Sequence, residues 1–170
     1  MPVKHGHIIW HGQALFLLCS VLWWLLLTLI NRQIRMNTAN DTGKKVFQLL
    51  CDAGFSVSMA KILTAQAAHE TANFTSSVFN NNNNLFGMRI SHLRKQDSLG
   101  DTDKDSYANY STLSQSVSDI GLYLKARKLD QVYNSCDDYV DAIHQKGYFE
   151  APVDEYKKEV NRFYKIYFNA

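Results

Sequence analysis

From Gly12 to Ile30 the chain carries no charged side chain. The stretch ALFLLCSVLWWLLLTLI within it is dominated by Leu, with Trp23 and Trp24 side by side. A run of that length is close to the minimum that crosses a bilayer as a helix, about 20 residues. Lys4 precedes it, and Arg32 and Arg35 come after it. A secretory signal peptide would have a shorter apolar run and a small-x-small cleavage site, and the residues after Ile30 (NRQIRMN) contain none. A buried core helix is seldom so uniformly apolar. The segment therefore reads as a retained transmembrane helix, an N-terminal anchor over 1–35 that meets the membrane through residues 12–30. Counted literally, its flanking arginines would hold the downstream domain on the cytoplasmic side.

The rest of the chain has a different character. Residues 37–43 (NTANDTG) are polar and turn-forming, so 36–43 reads as a linker. With 170 residues in all, 44–170 has room for one compact domain with a real core. The formal net charge is +2, which gives no electrostatic case for nucleic acid as a partner. Cys19, Cys51 and Cys136 show no metal-ligand spacing, and no other metal motif is present. No metal and no cofactor are expected, and Cys51 and Cys136 read as free thiols.

Apolar spacing places the helices. Val46, Phe47, Leu49, Leu50 and Ala53 form a helical stripe closed by Gly54. A second helix spans Ser58 to Glu70, with Ser56 or Ser58 as its cap. Phe79 to Gly87 reads as irregular, because successive asparagines favour turns and local side-chain bonds. Residues 90–110 are polar and suit a flexible hairpin or lobe. Three more helices are expected: Ser114 to Lys128, Asp137 to Lys146 stopping at Gly147, and Val153 onward. The whole is mainly α with a small irregular or β insertion.

Glu70 is the residue with chemical promise. It ends the stripe Leu63, Gln66, Ala67, Glu70, which faces the core. Burial favours the protonated carboxyl, which is the form a general acid needs near neutral pH. The run NNNNNLFGM downstream supplies amides that donate and accept at once, as sugar hydroxyls and acetamido groups require. His69 points about a quarter turn away from Glu70 and reads as structural. Asp119 reads as a hydrogen-bonding residue within the domain, and the aromatic stripe from Tyr156 to Phe168 as core.

Four blocks occur in order: AQAAHET, NNLFGM at Asn83 to Met88, YANYSTLSQSVSD at Tyr107 to Asp119, and KGYFEAPVDEYKKEV near the C-terminus. Together they resemble the glucosaminidase family of peptidoglycan hydrolases, glycoside hydrolase family 73, over roughly Phe47 to Tyr167. The resemblance implies a lysozyme-like α+β domain of helices with a small β-lobe. It implies that Glu70 is the general acid, in A-Q-A-x-x-E. Asn83, Asn84, Phe86 and Gly87 match the block that shapes the cleft floor. Tyr110 matches an active-site tyrosine, and Gly147 and Tyr148 match the C-terminal G-Y. Gln66 and Tyr148 join Asn83, Asn84, Phe86 and Gly87 as substrate-binding candidates. The family often has Ser then Gly-Trp-Gly after the acid, and here Thr71, Ala72, Asn73 and Phe74 stand instead.

A glycosidase uses its second carboxylate as base or nucleophile, or lets the substrate's acetamido group attack. Asp97, Asp101, Asp103 and Asp105 are the candidates, with Asp101 and Asp105 put forward. The resulting expectation is a membrane-anchored enzyme facing the cell wall, acting on peptidoglycan glycan strands. It would be an endo-β-N-acetylglucosaminidase cutting the β-1,4 bond after N-acetylglucosamine. A muramidase or lytic transglycosylase on a similar fold, or a non-catalytic wall-binding module, are the alternatives.

Overall fold

The computed structural model describes residues 10–91 and 106–168, with side chains from Leu22 onward. The chain divides into two units, 1–38 and 39–170. The described residues form α1 (Trp10–Asp52), α2 (Val57–Glu70), α3 (Ser77–Asn82), α4 (Leu113–Ala126), α5 (Cys136–Gln145) and α6 (Val153–Phe168). The expectation of a mainly α chain is met.

In the first unit, Leu22 through Leu27, Leu29, Ile30, Ile34 and Met36 are helical and exposed. The anchor expected at 12–30 finds no support: no helix among the described residues is long and apolar enough to cross a membrane. Residues 12–21 of the run lie outside the described side chains, and after Ile30 the helix turns polar at once, with Arg32 and Arg35.

The linker expected at 36–43 is helical, because all of it falls within α1. Gly43 explains part of this. A Cβ there would come within 2.3 Å of Cε1 of Tyr167, so this glycine is a point of close helix approach rather than a turn signal. Tyr167 Oη also donates to Asn73 Oδ1 at 2.6 Å and lies 3.3 Å from the carbonyl oxygen of Ala39.

α2 runs through the middle of the second unit. Met59, Ala60 and every residue from Ile62 to Ala68 are buried, and α6 is its main helical neighbour. Its small residues Ala60, Ala65, Ala67 and Ala68 let other elements close on all faces, while Ile62 and Leu63 fill the core. Truncating either of these to Ala would cost about 2–5 kcal/mol. Ser56 caps the helix by accepting from Met59 N at 3.2 Å. Ser76, Thr112 and Ser135 cap α3, α4 and α5 in the same way. α5 is tied to α6 by Lys157 Nζ with Asp141 Oδ2 at 2.8 Å and by Asn161 Nδ2 donating to Asp137 Oδ1 at 2.6 Å.

Part of the asparagine run is helix rather than irregular loop. Ser76 Oγ accepts from Phe79 N and Asn80 Nδ2 donates to the carbonyl of Thr75, which starts α3; Asn83 ends it at φ 49°. The small lobe is represented by one antiparallel bridge, Arg89 with Tyr107. Ile90 N donates to the Ser106 carbonyl and Ala108 N to that of Met88. Cys51 and Cys136 are free thiols.

Candidate active site

Glu70 closes α2, and its surroundings are built from three elements. Tyr156, on the first turns of α6, donates from Oη to Glu70 Oε1 at 2.5 Å. Gly87 lies against the other oxygen, since a Cβ at that position would sit 3.4 Å from Glu70 Oε2. Gly87 has φ 58°, the left-handed region that glycine adopts without strain. Burial drives the Glu70 pKa up and the Tyr156 hydrogen bond offsets part of that rise, leaving it at about 7. At neutral pH this carboxyl is therefore divided between acid and anion, and the oxygen that does not accept from Tyr156 lies toward Gly87.

Behind Glu70 the hydrogen bonds run in one direction. Tyr139 Oη donates to Gln66 Oε1 at 2.7 Å, Gln66 Nε2 donates to Tyr156 Oη at 3.3 Å, and Tyr156 donates to Glu70. Tyr139 and Gln66 are fully buried. Two rings fix Tyr156: Phe149 stacks on it at 3.9 Å with the planes 2° apart, and His69 meets it edge-on at 4.5 Å. Burial pushes the His69 pKa down, with Glu159 opposing and Arg162 assisting. The reading of His69 as structural agrees with this contact.

The sequence candidates separate into two groups. Gly87 and Tyr148 come to the acid. Tyr148 Oη donates to the Phe86 carbonyl at 2.5 Å, and its pKa lies well above the ordinary tyrosine value, through burial first and the Glu70 charge second. Other candidates are turned inward. Gln66 is internal and spends its amide on two tyrosines. Asn84 is fully buried; its Nδ2 donates to the carbonyls of Met88 and Ala108, and its Oδ1 accepts from Phe86 N and Met88 N. It shapes the 84–88 loop and offers nothing to a sugar. Asn83 Nδ2 is occupied by the Tyr110 carbonyl at 2.9 Å. The Phe86 ring is buried.

Tyr110 also departs from its expected place opposite the acid. It is 1% exposed, and its hydroxyl donates to Asp119 Oδ2 on α4 at 2.5 Å. A phenol satisfied by a buried carboxylate is a core strut, and Asp119 has the internal hydrogen bond expected of it. Asp101 and Asp105, with Asp97 and Asp103, lie outside the described residues. No group of His, Cys, Asp and Glu among the described residues could hold a metal ion.

Sequence reasoning missed Tyr156 and Tyr139. Tyr156 repeats with Val160 and Phe163 on the buried face of α6, so periodicity alone files it as core. Its place in the C-terminal block was the available signal.

A family model described as "Glucosaminidase: Mannosyl-glycoprotein endo-beta-N-acetylglucosaminidase" matches residues 55–168, more than half of the chain. The chain belongs to the glucosaminidase family. The matched part of this glucosaminidase contains Glu70, Gly87, Tyr139, Tyr148 and Tyr156 and leaves out residues 1–54. No curated protein matches the chain. Among solved structures, a chain of a type VI secretion system effector–immunity complex from Pseudomonas protegens is similar, with a TM-score of 0.56 at 16% identity. The similarity covers 81% of this chain and 96% of that one, and it speaks to the fold alone.

The segment after the acid carries an unusual backbone. Ala72, Asn73 and Phe74 have φ of 50°, 59° and 62°, three successive non-glycine residues in the left-handed region. For Ala72 and Phe74 this costs about 1–2 kcal/mol against an ordinary conformation, and Asn73 is the residue type that tolerates it better. The turn is held by Asn73 N donating to the Ala68 carbonyl at 2.7 Å and Phe74 N donating to Thr71 Oγ1 at 2.9 Å. The Phe74 ring is buried against Phe79 and Tyr167.

Proposed function

We propose that this glucosaminidase hydrolyses the β-1,4 bond after N-acetylglucosamine in peptidoglycan, as an endo-β-N-acetylglucosaminidase with Glu70 as general acid. The observation that carries the reading is the environment of that carboxyl. One oxygen is fixed by Tyr156 and the other lies beside Gly87, which has no side chain, and burial raises the pKa to about 7, so that a large share of the carboxyl is still protonated at neutral pH. A group so poised can protonate a glycosidic oxygen as positive charge develops on the sugar. Tyr156 acts as a positioning residue: its hydrogen bond selects which oxygen carries the proton and resists over-raising of the pKa. The peptidoglycan substrate is supported by the four sequence blocks and by the family match.

The test is product chemistry. The full chain is incubated with purified peptidoglycan, the new ends are reduced with borohydride, and the reduced sugar is identified by mass spectrometry. Reduced glucosamine is expected. Reduced muramic acid would assign a muramidase and anhydromuramic ends a lytic transglycosylase. Binding without any sugar release would leave a wall-binding module. Glu70→Gln should keep the fold and lose at least about a hundredfold in turnover, in the range of general-acid contributions.

A further inference from the structure

We propose that the cavity beside Glu70 binds a carboxylate of the short acidic peptide carried by the muramic acid residue of the substrate, with Arg127 as the cation that receives it. This rests on the peptidoglycan reading above and narrows it. The cavity measures about 250 Å³ and is lined by Gly87 and Tyr148, which neighbour the acid, and by Arg89, Ser91, Tyr123 and Arg127 among others. It is smaller than the roughly 300–1,000 Å³ that encloses a whole small-molecule ligand. It suits one branch of a larger polymer.

The position of Arg127 is set by the fold. It is the C-cap residue of α4, and its backbone N–H donates to the Tyr123 carbonyl at 3.0 Å. Its guanidinium stands over the Tyr123 ring at 5.6 Å, and that ring packs edge-on against Tyr148 at 5.3 Å. The charge is thus held at the wall through an aromatic contact, and among the described residues no carboxylate pairs with it. A guanidinium fork matches a carboxylate with two parallel hydrogen bonds. Arg89, on the same wall, stands over Tyr107 at 5.4 Å and adds a second positive charge to the cavity.

Chemistry selects the occupant. N-acetylglucosamine is neutral, so a polymer of it offers nothing to an arginine. In peptidoglycan, negative charge resides in the peptide stems attached to muramic acid. A cation in the cavity that Gly87 and Tyr148 border therefore distinguishes stem-bearing glycan from a neutral glycan with the same β-1,4 linkage.

The experiment compares two polymers from one preparation: intact peptidoglycan, and the same glycan stripped of its peptides by an amidase, with the lactyl carboxylates this exposes then converted to neutral amides. Wild type, Arg127→Ala and Arg127→Lys, matched by thermal melts, are assayed for kcat/KM by release of reducing ends. Wild type should prefer the stem-bearing polymer. Arg127→Ala should lower the ratio of the two kcat/KM values about tenfold, mainly through KM, as expected for a lost charge-assisted hydrogen bond. Arg127→Lys should recover part of the ratio, and added salt should erode the wild-type preference. A ratio that ignores Arg127, in a wild type that cuts both polymers, overturns this inference alone. A wild type that cuts neither polymer overturns the peptidoglycan reading and this inference with it.

Discussion

Tyr156 Oη donates a 2.5 Å hydrogen bond to Glu70 Oε1 across the α2–α6 interface, and that single contact joins the packing of the core to the protonation of the acid. Because this bond stabilises the carboxylate, removing it raises the Glu70 pKa further above about 7. Activity that needs protonated Glu70 is present below that pKa and is lost as pH rises through it. In Tyr156→Phe the falling limb of the kcat/KM–pH profile should move to higher pH, with the plateau about tenfold lower from loss of positioning. An unmoved limb would sink the role given to Tyr156. The variant also strips Gln66 Nε2 of its acceptor, a buried loss worth about 1–3 kcal/mol of stability.

The same raised pKa has a cost in stability. Glu70 titrates near 7 in the folded chain and near 4.5 unfolded, so between those values the folded state holds the extra proton. Stability then falls as pH rises, and above 7 the ionised carboxyl costs roughly 3 kcal/mol relative to pH 4. Glu70→Gln cannot ionise. The difference in melting free energy between Glu70→Gln and wild type should grow in favour of the variant from about pH 4.5 to 7 and then level. A difference that does not change with pH would contradict a buried, neutralised acid.

Gly87 and Gly54 make a controlled pair. Both have positive φ, 58° and 90°, but a Cβ at Gly87 would sit 3.4 Å from Glu70 Oε2 and one at Gly54 meets nothing within 4 Å. Each change to Ala should cost about 1–2 kcal/mol in backbone strain. Only Gly87→Ala should also depress kcat, by about tenfold or more, through crowding at the proton-bearing oxygen. Equal kcat in the two variants would show that this side of the acid is not where the substrate approaches.

Ala72→Gly should stabilise the chain. Ala72 is exposed at φ 50°, so glycine relieves strain without opening a cavity. The gain should be about 1 kcal/mol, reduced by the extra freedom of glycine in the unfolded chain. Urea titration reads it directly.

Asn84→Ala should unfold rather than merely slow the enzyme. Four hydrogen bonds from one buried side chain hold the 84–88 loop, and two backbone N–H groups lose their acceptor together. A loss of about 3 kcal/mol or more is expected. Asn81, exposed in the same run, should tolerate Ala within about 0.5 kcal/mol. Chemical denaturation of both variants checks the contrast.

Helices α4, α5 and α6 were legible because each buries one apolar face, and α2, α4 and α5 also start at a Ser or Thr cap. Glu70 was legible for the same reason, as an acid on the inner stripe. What composition hid were residues whose roles depend on a partner far away in the chain. Gly43 looks like a helix breaker until Tyr167 comes down on it. Asn84 and Asn83 look like sugar ligands until the backbone of the neighbouring loop claims their amides. Tyr156 looks like core because it is core, and its one polar atom meets Glu70 only when α6 packs on α2.

The one-way run of donors from Tyr139 through Gln66 and Tyr156 has a consequence for turnover. Tyr139 and Tyr156 each spend their one hydroxyl hydrogen on the next group, Gln66 is a neutral amide with no acidic proton, and the line ends in the sealed interior at Tyr139. The core can hold the carboxylate in place but has no spare proton to return to it. In the reaction proposed above, Glu70 would then be recharged by water from the Gly87 side and not from the core. On that proposal the acid reloads from the front, and a product that lingers beside it would delay chemistry as well as release.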